Sequence, residues 1–153
     1  MELTLARLYH ETFHAYLDDY VYPDRDAAVP RWLNEGLAQI FEAGLLEADV
    51  LRIDAPDADR LAKLQADLRG RRPLRVADLL AADQSAFLVP HADGGQTSQR
   101  HYLYSWGLAW YLTFEQSLLD TERLNRYVSK EASKLDPEAR FEQLVGMPLA
   151  EFD

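Results

Sequence analysis

Cysteine is absent from the 153 residues, which rules out disulfides and thiolate metal sites alike. Any metal bound here has to be held by nitrogen and oxygen. Basic residues are scarce, 16 Lys and Arg against 26 Asp and Glu, and the formal charge of −10 argues against a nucleic-acid partner, because phosphate binding needs a basic patch. The one arginine cluster, Arg69 to Arg75, reads most simply as a solvated loop. Long apolar runs are missing too. No stretch approaches the roughly 20 residues of a spanning helix and nothing resembles a signal peptide, so no membrane span is expected in this chain. These absences fix neither the compartment nor the oligomeric state. What is present, 48% hydrophobic residues, suffices for one domain with a real core.

Against that background His10, Glu11 and His14 stand out, forming the pentapeptide His-Glu-Thr-Phe-His, an HExxH pattern. Residues four apart on an α-helix lie one above the other, so both imidazoles can aim at one metal ion. Glu11 sits about 100° around the same helix, off that stripe but near enough to reach a water on the metal. The spacing alone is not decisive, and context carries the rest. Leu3, Ala6, Phe13 and Leu17 share the histidine face, which turns both histidines inward. The plainer reading is a pair of core histidines satisfied by hydrogen bonds. Catalytic zinc takes three protein ligands and keeps one open position, and Glu35 can supply the third. It lies on the next expected helix, after Pro30 and up to about Ala43, with Gly44 as the stop. Without the upstream motif Glu35 would read as a solvated helix carboxylate.

These residues resemble the gluzincin metallopeptidases, in which HExxH is followed one helix later by a glutamate ligand. Trp32-Leu-Asn-Glu-Gly-Leu-Ala38 is similar to the Asn-Glu-Gly signature of the aminopeptidase branch and to short bacterial proteins described as peptidase-MA-like. The resemblance implies His10, His14 and Glu35 as ligands of Zn²⁺, Glu11 as general base, and a peptide or protein as substrate. Gluzincins also need a donor for the oxyanion, and Tyr102 to Trp106 is similar to a Tyr-x-x-Ser-Trp segment of the short bacterial relatives. That assigns the duty to Tyr102, with His101 as a weaker candidate; the alternative is that Tyr102 and Tyr104 are ordinary core residues. His91, in a Gly- and Asp-containing loop, reads as exposed. Zinc-bound imidazoles normally donate their second nitrogen proton to an oxygen acceptor, and Gln39 and Glu42 lie on the correct face for this, with Asp18 and Asp19 as alternatives. Many relatives carry an acid near the Gln39 position, so the amide is a departure.

Beyond Gly44 the pattern stays helical: Asp57 to Leu68, Pro73 to Ala81, a long helix from about Ser98 to Leu119, Thr121 to Lys134 with Thr121 as N-cap, and Pro137 to Val145. A polar loop with Gly94-Gly95 precedes the long helix. No strand, repeat or low-complexity tract is evident. The expected fold is an all-α bundle, the helical catalytic part of a zincin-like fold lacking most of its upstream β-sheet. Met1 leads straight into the motif helix, so residues 1–153 read as a single catalytic domain excised from a longer protein, whose secretion signal would have gone with the missing part. The expected activity is hydrolysis of peptide bonds by a metal-activated water. The rival is a binding or structural module that keeps the scaffold without the chemistry, which the missing sheet favours and the intact Glu11 disfavours.

Overall fold

The computed structural model describes residues 2–22, 27–87 and 95–152. In chain order its elements are α1 (Glu2–Tyr16), α2 (Arg31–Glu42), a hairpin of β1 (Leu45–Glu47) and β2 (Val50–Arg52), α3 (Ala58–Leu68), α4 (Val76–Leu80), α5 (Gly95–Trp110), α6 (Glu122–Tyr127), α7 (Pro137–Val145) and α8 (Leu149–Phe152). The fold is all-α, as expected. No helix of the described residues is long and apolar enough to cross a membrane. His91 and Gly94 lie outside the described residues.

The centre of the bundle is α2. Trp32, Leu33, Leu37, Ala38 and Ile40 are all buried and point in several directions, the pattern of a helix enclosed by neighbours rather than laid on a surface. Pro30 precedes its first turn, where a missing N–H costs nothing and the ring sets φ at −61°. Helix α1 packs on one side, with Phe13 stacked on Phe41 at 4.5 Å between centroids, and runs on into a π turn over Leu17–Val21. Helix α5 packs on the other side and ends in a second π turn over Tyr111–Glu115. The α2–α5 crossing is close because residue 36 is glycine. A Cβ there would lie 2.3 Å from the Ser105 carbonyl oxygen and 2.7 Å from the Ala109 methyl. Trp32 anchors the far end, donating its indole N–H to the Tyr127 hydroxyl at 3.1 Å and meeting the Phe141 ring edge-on.

Several local expectations hold because they rest on side-chain capping. Asp57 accepts from the N–H groups of Asp59 and Arg60, Thr121 from Leu124, and Asp136 from Glu138 and Ala139 ahead of Pro137. Gly146 closes α7 with φ at +78°. Three expectations are corrected. The chain after Gly44 is a hairpin, not helical, pairing Leu45 with Arg52 and Glu47 with Val50. Its turn residues, Ala48 and Asp49, both have positive φ, the conformation of the tight hairpin turn, but they lack the Asn-Gly or Asp-Gly signature that announces one. The helix expected from Thr121 to Lys134 stops at Tyr127, because the Ser129 hydroxyl bonds back to the Arg126 carbonyl and Ser129 forms a bridge with Ala27. The long helix begins at Gly95 rather than Ser98 and gives way to its π turn after Trp110.

Candidate metal centre

Helices α1 and α2 bring His10, His14 and Glu35 together, with one potential ligand atom from each lying within 4.8 Å of the others. The two Nε2 atoms are 3.1 Å apart, and Glu35 Oε2 is 3.4 Å from that of His10. Donors bonded at about 2.0–2.1 Å to one tetrahedral ion are separated by about 3.3 Å, so these two spacings are compatible with a shared metal ion. Glu35 Oε1 lies further from His14 Nε2, at 3.8 Å.

The far sides of both rings decide the tautomers. His10 Nδ1 lies 3.3 Å from Glu42 Oε2, and His14 Nδ1 lies 2.9 Å from Asn34 Oδ1. A carboxylate and an amide oxygen only accept, so each Nδ1 carries the proton and donates it. With both rings neutral, the two Nε2 atoms would then present lone pairs to each other and to Glu35. The carboxylate is 2% exposed, and its Oε2 is buried without a hydrogen-bond partner. Three lone pairs converging in a nearly dry space repel unless something positive sits between them. In the metal-free protein a proton fills that role: the carboxylates of Glu35 and then Glu42, facing the two ring nitrogens, outweigh burial and raise His10 from 6.5 to about 9. Burial pushes the Glu35 carboxyl up, but the facing His10 imidazole and the Arg31 charge outweigh it and hold it below the usual range. Two imidazoles whose Nε2 atoms face one point and one buried carboxylate with an oxygen aimed between them fit a borderline-soft divalent ion of the Zn²⁺ type.

Glu42, not Gln39, orients His10. Seven residues on, Glu42 returns to within about 20° of the Glu35 direction, whereas Gln39 falls about 40° to the other side, toward α5. There Gln39 donates to the Tyr102 carbonyl at 2.9 Å and ties α2 to α5. Arg60 in turn holds Glu42 at 3.1 Å. Asp18 and Asp19 are exposed in the first π turn and take no part. Asn34 and Arg31 were not singled out from the sequence. Arg31 pairs with Glu35 Oε1 at 2.8 Å in an i, i+4 arrangement, and that spacing was the available signal.

Glu11 is exposed, one position round α1 from His10. Tyr102 reaches the same side from α5. Burial pushes its phenol up, the Glu35 carboxylate adds to this, the Arg31 charge pulls it back, and Glu11 pushes it up again. Its hydroxyl donates to the Phe87 carbonyl at 3.1 Å. His101, one residue earlier, meets the Phe87 ring edge-on at 5.8 Å and belongs to no group with the two histidines and Glu35. Tyr104 is directed elsewhere, bonding Asp67 and the Leu74 N–H.

No curated protein and no solved structure matches the chain. Residues 4–137, a span that includes His10, Glu11, His14, Glu35 and Tyr102, match the family described as Protein of unknown function (DUF1570), and the chain belongs to that family.

Proposed function

We propose that this chain is a zinc-dependent peptidase of gluzincin type, with His10, His14 and Glu35 as the metal ligands. The observation that carries the reading is the convergence of two Nε2 lone pairs and the orphaned, buried Glu35 Oε2 on one point, with both Nδ1 atoms committed to oxygen acceptors. Zn²⁺ in such a site supplies Lewis acidity, which polarises a substrate carbonyl and acidifies water. The remaining work belongs to side chains. Glu11, exposed beside the ligands, is placed to take a proton from the attacking water and later to deliver it to the leaving amine. Tyr102 exchanges the Phe87 carbonyl for the substrate oxygen and donates to it as negative charge develops. Glu42 and Asn34 hold the imidazoles in the tautomer that leaves Nε2 free.

The test is metal content of protein prepared without chelator, followed by cleavage of a broad peptide mixture by the parent and by Glu11→Gln. Zinc near one equivalent in both, with turnover in the variant lower by about 10²–10⁴-fold, is the expected result. Equal activity in the two would remove Glu11 from the mechanism. A second reading is a binding module that retains the metal, and the Tyr102–Phe87 hydrogen bond favours it, since a committed hydroxyl is a poor oxyanion donor. Zinc without cleavage in either protein would favour that module.

A further inference from the structure

The first turn of α2 carries a cation that the reaction above leaves unused. Arg31 lies four residues before Glu35 and places its guanidinium 2.8 Å from Oε1, while its own side chain remains 40% exposed. Oε2 is left alone to face the imidazoles, without a hydrogen bond. Both oxygens lie near enough to the histidines to serve as ligands, at 3.4 Å from His10 Nε2 and 3.8 Å from His14 Nε2. A carboxylate offering both would occupy the position that a catalytic zinc site keeps open for water or substrate.

We propose that Arg31 is a positioning residue of the metal centre: by occupying Glu35 Oε1 it limits this ligand to Oε2 and preserves the vacant coordination position. The inference rests on the metal reading above. Arginine suits the task because its planar fork fixes a carboxylate in orientation as well as in charge, which a lysine ammonium does not. The same guanidinium charge also bears on Tyr102, drawing its phenol back against the rise that burial causes, so one side chain acts on both the ligand and the oxyanion donor. Its contribution to folding is small, because a pair with one partner this exposed is screened by water.

The full chain loaded with Co²⁺, whose visible bands are intense in four-coordinate sites and weak in five-coordinate ones, reports the coordination number directly. Wild type should show the intense form. Arg31→Gln and Arg31→Met, with unchanged helical circular dichroism, should show weakened bands as Glu35 contributes both oxygens, and Arg31→Lys should restore part of the intensity. A spectrum identical in wild type and both uncharged variants would overturn the role of Arg31 while leaving the metal site standing. Failure of the wild-type chain to take up either Co²⁺ or Zn²⁺ would remove the metal reading and this inference together.

Discussion

Replacing Glu35 with Gln removes one charge and almost no volume from the centre, which separates a metal ligand from a structural ion pair. A four-ligand structural zinc site is worth about 10–16 kcal/mol in apparent binding free energy, or roughly 3–4 kcal/mol per ligand. Loss of one ligand should therefore weaken zinc binding by about 10²–10³-fold. In the metal-free protein above about pH 9 the same change should cost little. The Arg31 partner is 40% exposed and returns to water, and His10 has already given up the extra proton that Glu35 helps to hold. The cage of converging lone pairs is also relieved, since the Gln amide can donate to one of them. Metal-free stability should thus change by less than about 1 kcal/mol. If Glu35 were instead the keystone of a structural Arg31–Glu35–His10 network, breaking it would cost about 3–5 kcal/mol. Urea titration in the presence of chelator measures metal-free stability, and competition for zinc with a chromophoric chelator measures zinc affinity. A large loss of metal-free stability together with unchanged zinc affinity would refute the ligand assignment.

Tyr102→Phe should leave zinc content unchanged and lower kcat by about 10²–10³-fold, the usual effect of deleting one oxyanion donor; steady-state kinetics that move KM alone would assign the hydroxyl to binding. Gly36→Ala sets a methyl against the Ser105 carbonyl oxygen, 2.3 Å away, and should destabilise the chain by about 1–3 kcal/mol, read as a lower urea midpoint with unchanged slope. In metal-free protein His10 should titrate near 9 by NMR, above its ordinary 6.5. Because the folded value is raised, its contribution to stability should be fully present below pH 6.5 and fade as pH rises through about 9. Saturating zinc, which displaces that proton, should abolish the dependence. A His10 titration near 6.5 in the folded, metal-free chain would contradict the geometry.

Much of this site could be read before any coordinates because its logic is local. His10 and His14 share a stripe by helical period alone, and the α2 limits follow from Pro30 and Gly44. Capping at Asp57, Thr121 and Asp136 is decided within a few residues of each helix start. The sequence thus determined which side chains could act as ligands and which helices would carry them. It did not decide how those helices are turned about their axes. A rotation of some tens of degrees, fixed by the Gly36–Ser105 contact and by Gln39 reaching the Tyr102 carbonyl, assigns His10 to Glu42 rather than Gln39. Asn34 became the partner of His14 by the same docking. Hydrogen-bond partners across helices depend on distances set by packing, which no periodicity encodes, whereas spacing along one helix is set by its pitch. The hairpin after Gly44 belongs with the former: Ala48 takes a left-handed conformation that its own side chain does not favour, held there by the strands it joins.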